Sequence, residues 1–148
     1  MSISEKGNIM YIIYVKNQEE SKEFYEKVLG YKSTLHVPGM TEFQLMHNVS
    51  LGIMPEEGIM RVLENRIPDP SSANGVPRSE IYLFVDDPDK YYSKLVQAGG
   101  TGISEKKLRN WGDYVAYGSD IDGHILAFAE KVKGWVHIAL LNIVHMLL

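Results

Sequence analysis

The sequence contains no cysteine. A thiol nucleophile, a disulfide framework and a Cys-ligated zinc are therefore excluded, and the absence fits a reducing compartment. There is no excess of basic charge either: 15 Lys and Arg stand against 19 Asp and Glu, a formal net charge of −4. Without a basic stripe, nucleic acid is not an expected partner. The opening residues MSISEKGNIM carry no apolar segment of the secretory kind. The most apolar stretch, Trp135 to Leu148, is interrupted by His137, Asn142 and His145 and is 14 residues long. A helix needs about 20 apolar residues to cross a bilayer. No membrane span is expected, and the expected location is cytoplasmic. The glycines form neither a dinucleotide fingerprint nor a phosphate loop. No histidine among His36, His47, His124, His137 and His145 is part of an H-x-x-x-H pair, so each reads more readily as a surface or satisfied core residue than as a ligand.

What is present is a repeated local pattern. Residues 9–15, IMYIIYV, are β-branched and aromatic, as a buried strand requires. Asn17 then fits a helix N-cap, with Glu20 three residues on. Ser21, Phe24, Tyr25, Val28 and Leu29 share one helical face, and Gly30 supplies the stop. Strands are expected at 31–37, 42–47 and 49–54, with Met40 in a turn. The chain from 55 to 78 is rich in Pro, Ser, Asn and Gly and reads as a loop or linker, with a helical turn at 60–66. The opening then recurs: EIYLFV at 80–85 is a strand, Asp87 the cap and Pro88 the first helical position. Tyr91, Tyr92, Leu95 and Val96 form the apolar face, and Gly99-Gly100 closes the helix. Further strands are expected at 101–104, 113–118 and 124–130.

Val15-x-Asn17 and Val85-x-Asp87 thus introduce two similar helices, each closed by glycine. We read an internal duplication of strand–helix–three-strand units. One unit leaves a sheet face bare, two can cover it together, and a cleft between them is a natural ligand site. The expected class is α+β: tandem βαβββ modules whose curved mixed sheets share a pocket. The expected division is a first module at 1–54, a linker at 55–78, a second module at 79–130 and an apolar tail at 131–148.

Specific runs carry a family resemblance. FYEKVLGYK (24–32) resembles the FY-x-x-x-LG signature of the vicinal-oxygen-chelate superfamily, which includes glyoxalase I, extradiol dioxygenases, fosfomycin-resistance enzymes and bleomycin-resistance proteins. EIYLFVDDPDKYYSKLVQAGG (80–100) and NWGDYVAYGSDIDGHILAFAE (110–130) are similar to the bleomycin-resistance-like branch, with its V-D-D cap, its W-G and its D-x-DG turn before a closing strand. The resemblance covers residues 9–130. It implies the glyoxalase/bleomycin-resistance fold and a homodimer.

Metal-dependent relatives carry a His on the first strand of each module and a carboxylate on the last. Transferred position by position, these fall on Met10, on Glu80, on Ala127 and within Ser50-Leu51-Gly52-Ile53. A thioether is a poor ligand for hard or borderline ions, and one carboxylate cannot hold an ion alone. No metal and no other cofactor is expected. By strand alternation Met10, Ile12 and Tyr14 share the pocket-facing side of the first strand, and Tyr11, Ile13 and Val15 the helix side. Glu80, Tyr82 and Phe84 line the second module, with Ala127 on the closing strand and Trp111 from the W-G motif.

Such an aromatic pocket with one acid suits a planar or cationic small molecule, Glu80 acting as counter-charge. Ile12 and Phe84 are equally readable as core. For Glu80, an ion pair with Arg78 or Arg109, or simple exposure, weighs as much as a functional role. The leading expectation is metal-free binding of an aromatic or cationic compound, as in drug or toxin sequestration. The alternatives are a metal-dependent glyoxalase- or dioxygenase-type enzyme with an atypical site, and a vestigial interaction module. Metal-free catalysis, with Glu80 as base and Tyr14 or Tyr82 as proton donor, is the minority expectation. The tail is expected to pack on its own domain or on a dimer partner.

Overall fold

The computed structural model describes residues 9–133 and Met146. The apolar stretch from Trp135 onward, Met146 apart, lies outside the described residues. Eleven regular elements follow one another: β1 (Ile9–Val15), α1 (Gln18–Leu29), β2 (Leu35–Val37), β3 (Met40–Met46), β4 (Val49–Pro55), α2 (Glu56–Val62), β5 (Glu80–Phe84), α3 (Pro88–Gln97), β6 (Thr101–Leu108), β7 (Asp113–Ser119) and β8 (Ile125–Lys131). They form two compact units, divided between Val76 and Pro77.

Local chemistry explains where the helices begin and end. The Asn17 side chain accepts the Glu20 N–H, leaving one fewer orphan donor in the first turn of α1. The chain leaves α1 at Gly30, whose φ of 85° is open to glycine and strained for most other residues. Asp87 does for α3 what Asn17 does for α1, accepting the Lys90 N–H, and Pro88 follows where no N–H is required.

Each unit is a four-stranded mixed sheet, with strand order β1-β4-β3-β2 in the first and β5-β8-β7-β6 in the second. The first strand runs parallel to the last, and the remaining pairs are antiparallel. The two registers correspond. Ile12 stands opposite Gly52 on the neighbouring strand, and Tyr82 stands opposite Ala127 in the same way. Two sheets of one topology, each with its own helix, make the fold α+β and match the strand–helix–three-strand repeat.

The core of each unit lies between sheet and helix. In the first, Phe24, Tyr25 and Val28 of α1 are buried with Ile13, Val15, Phe43, Leu51 and Ile53 of the strands. Tyr11, expected on this side, is exposed. It lies toward the free end of β1, ahead of Ile13 and Val15. In the second, Leu95 of α3 is buried with Leu126 and Phe128, and Tyr91 meets the Phe128 ring at 5.6 Å. A side chain at Gly118 would collide with Leu95, its Cβ falling 2.7 Å from Leu95 Cδ2, so glycine here lets helix and sheet approach closely. Val96, expected in the buried face, is exposed.

Several segments differ from expectation. Strand β2 begins at Leu35, not at 31, and Met40, expected in a turn, opens β3 paired with Val37, the turn being confined to Pro38-Gly39. Residues 55–78 open with α2, which packs on β4 and β1 and buries Ile59. With seven residues, α2 is too short to display helical periodicity. A 3-10 turn at Pro70–Ala73 follows, capped by Asp69. Strand β6 continues to Leu108 beyond the expected 101–104. Its extension, Glu105-Lys106-Lys107, is charged because β6 is the outer strand of its sheet and exposed there.

Candidate functional site

The chemically richest surface is the face of the second sheet opposite α3. Alternation along β5 places Glu80, Tyr82 and Phe84 on it. Across the sheet, Tyr82 is in register with Ala127 and Ala127 with Tyr117. Val115, Ala127 and Ala129 form a buried cluster, and Tyr82 and Tyr117 pack against it. Ala127 is thus a floor beneath two phenol rings, not an exposed contact as expected of a lining residue.

Three polar side chains then form a chain. The Trp111 indole N–H donates to the Tyr82 oxygen at 2.9 Å, and the Tyr82 hydroxyl donates to Asp113 Oδ2 at 2.6 Å. The β6–β7 turn supplies the geometry. Arg109 N donates to Asp113 O, Gly112 N donates to Arg109 O, and Gly112 takes φ 93°. Trp111 is held at the tip of this turn and remains 53% exposed. Burial, reinforced by the bond to Asp113, pushes the Tyr82 phenol up to about 12. Its proton therefore stays on Tyr82 across the physiological range. Tyr82 links the indole of Trp111 to the carboxylate of Asp113.

Aromatic faces here already carry cations. The Arg109 guanidinium lies 5.0 Å from the Tyr117 ring centroid and donates to Ser104 Oγ and Val115 O. Burial, ahead of the repulsion from Glu80, raises the Tyr117 phenol as well. Lys131 Nζ lies 5.2 Å from the Phe84 ring, which is 58% exposed and edge-on to Tyr82. Among the described residues no cation stands over Trp111 or Tyr82.

Glu80 lies at the start of β5 and is exposed. None of the ion pairs among the described residues includes it, so exposure at the strand end accounts for its position. In the first unit Met10 and Ile12 are 39% and 37% exposed, on the side away from α1, and Tyr14 is half-buried. Both Met10 and Ile12 lean over Gly52: a Cβ there would come within 2.9 Å of Ile12 Cγ1 and 3.0 Å of Met10 Sδ. The structure therefore brings Tyr82, Phe84 and Trp111 together in one unit, and Met10 and Ile12 in the other. Two open grooves in the first unit, of about 400 and 420 Å³, involve none of the expected residues.

A divalent ion of the kind metal-dependent relatives use does not fit these residues. The positions in question present a thioether, a bare backbone, a methyl group and one carboxylate. The space for a ligating side chain at Gly52 is filled by Ile12 and Met10. Among the described residues no three His, Asp or Glu side chains converge. His36 is engaged by Thr41 Oγ1 at 2.7 Å and by Glu19 Oε2 at 2.9 Å.

Sequence reasoning missed Asp113. The signal was available: alternation along β7 puts Asp113, Val115 and Tyr117 on the face that β5 presents with Tyr82.

Comparison with known proteins agrees with the architecture. The family model for the glyoxalase-like domain matches residues 8–133. A glyoxalase-related enzyme from Fulvimarina pelagi superposes with a TM-score of 0.70 at 19% identity, covering 82% of this chain and 86% of that one. A glyoxalase/bleomycin resistance protein/dioxygenase from Nocardioides gives 0.69 at 20% identity over 90% and 88% of the two chains. A protein of the same family description from Burkholderia phytofirmans PsJN gives 0.67 at 15% identity over 83% and 97%. No curated protein matches the chain. At these identities the structural likeness speaks for the fold, and the family model extends across both units: the chain belongs to the glyoxalase-like domain family of the vicinal-oxygen-chelate superfamily.

Proposed function

We propose that this chain is a metal-free binding protein that holds a planar aromatic or cationic small molecule against the aromatic face of its second unit, in the bleomycin-resistance manner. The observation that carries the reading is Trp111. Its indole is half exposed, fixed by Tyr82 and Asp113, and free of any internal cation among the described residues. A ring held in place loses little freedom when a ligand stacks on it, so more of the contact energy appears as affinity. Tyr117 and Phe84 already accept Arg109 and Lys131, which supports a preference of this face for positive charge. The donor set at the family's metal positions supports binding without an ion. Sequestration needs no bond-making group, and the tightly held Tyr82 proton agrees with that.

A thermal-shift screen with planar cations, neutral rings and aromatic anions tests the reading. Planar cations are expected to raise Tm in proportion to the logarithm of their concentration. Trp111→Ala should lose that response while keeping its own melting transition. A protein that purifies with a stoichiometric divalent ion, or that responds to no ring compound, contradicts the proposal.

A further inference from the structure

We infer that Asp113, not Glu80, is the counter-charge of this face and that the site selects cations able to donate hydrogen bonds. The inference rests on the binding reading above and deepens it. Its ground is the direction of the chain of hydrogen bonds. The indole N–H of Trp111 is used by Tyr82, and the hydroxyl proton of Tyr82 is used by Asp113. Trp111 and Tyr82 have no other side-chain donor to offer. What remains for a ligand is an acceptor: the chain ends on a carboxylate whose Oδ2 is engaged and whose Oδ1 carries no hydrogen bond among the described residues. Beside it lie the open rings of Trp111 and Tyr82.

Two cations lie close in the fold, and both are engaged elsewhere: Arg109 of the turn with Ser104, the Val115 carbonyl and the Tyr117 face, and Lys131, opposite Asp113 in register, with the Phe84 ring. Neither forms an ion pair with Asp113. Glu80 is placed worse for the role. It is exposed to water at the strand end, where its attraction for a cation is screened. A ligand cation stacked on Trp111 and donating an N–H to Asp113 would gain a charge-assisted hydrogen bond. A quaternary ammonium of the same size would gain ring contact and the attraction of opposite charge, but no hydrogen bond. An aromatic carboxylate would meet a carboxylate with no donor to receive it.

The test uses the full chain and three small probes of one ring size, with binding followed by calorimetry. Benzamidine is a planar N–H cation, benzamide is its neutral counterpart, and benzyltrimethylammonium is a cation without N–H. Wild-type protein is expected to bind benzamidine about ten-fold more tightly than either of the others, the usual weight of a charge-assisted hydrogen bond. Asp113→Asn keeps an acceptor for the Tyr82 hydroxyl but removes the charge. It should erase the preference for benzamidine and leave benzamide binding in place. Glu80→Gln should leave the preference intact. Equal binding of all three probes to wild-type protein overturns the inference while leaving the ring-stacking reading standing, and that comparison needs no variant to fold. A preference that survives Asp113→Asn, or is lost in Glu80→Gln, overturns it too. Failure of all three probes to bind tells against the underlying reading itself.

Discussion

The two units share a scaffold and differ on one face. Strand order, register and the capped helix start recur from the first to the second, and a left-handed glycine ends each helix, Gly30 as the cap of α1 and Gly99 one residue beyond the Ala98 cap of α3. On the side away from the helix they part. The first unit presents apolar side chains, Met10 and Ile12, resting on Gly52. The second presents rings tied by hydrogen bonds, Trp111 to Tyr82 to Asp113. The helix-facing side is constrained by packing at interior density, where a lost or gained methyl group is felt. The opposite face is under no such constraint, and in this chain it is the second unit that carries hydrogen-bonded rings there.

The shared scaffold gives the largest expected effect. Leu51 and Leu126 occupy corresponding positions on β4 and β8, and both are buried. Leu51→Ala and Leu126→Ala should each cost about 2–5 kcal/mol in urea unfolding, as large-to-small core changes do. Similar costs support equivalent cores, and a cost near zero at either site would break the equivalence.

Gly52→Ala probes the divergent face of the first unit. The new methyl would fall 2.9 Å from Ile12 Cγ1 and 3.0 Å from Met10 Sδ, so both side chains must shift. A destabilisation of about 1–3 kcal/mol is expected from overpacking. Pairing it with Met10→Ala should recover part of the loss, and a double variant no better than the single one would mean that the crowding lies elsewhere.

The caps come next. Asn17→Ala and Asp87→Ala should each cost about 1 kcal/mol, measured as a change in the urea midpoint at constant slope. Markedly unequal costs would separate the two helices that the repeat pattern treats alike.

The last effect is confined to alkaline pH and to the second unit. The Tyr82 phenol is raised from 10.0 to about 12, so the folded state keeps a proton that the unfolded chain releases first. The stabilisation is complete below pH 10 and is lost as pH rises toward about 12. Tyr82→Phe should flatten stability across that window relative to the wild type. An unchanged alkaline slope would show that the Tyr82–Asp113 bond does not hold the proton.

Much of the fold was legible because it is written in local signals. Asn17, Gly30, Asp87 and Pro88 mark helix ends by their backbone chemistry, and IMYIIYV and EIYLFV mark strands by composition. The obscure parts were those where such signals are weak. Helix α2 is a short helix of seven residues, about two turns, and the charged end of β6 looks like loop because an outer strand needs no apolar residues. For the site, alternation along β5 grouped Glu80, Tyr82 and Phe84. It did not tell that Glu80 is exposed at a strand end, that Ala127 is covered by two rings, or that Asp113 closes a chain of hydrogen bonds. Those follow from cross-strand register and turn geometry, which join residues far apart in sequence.

The ring held by Tyr82 and Asp113 is proposed to bind its ligand without a metal ion. Calorimetric titration of benzamidine in the presence of a chelator tests it most directly, with wild-type protein and Trp111→Ala side by side. Saturable binding is expected, unchanged by the chelator and abolished by Trp111→Ala. Binding that requires an added divalent ion, or that persists in Trp111→Ala, would contradict it.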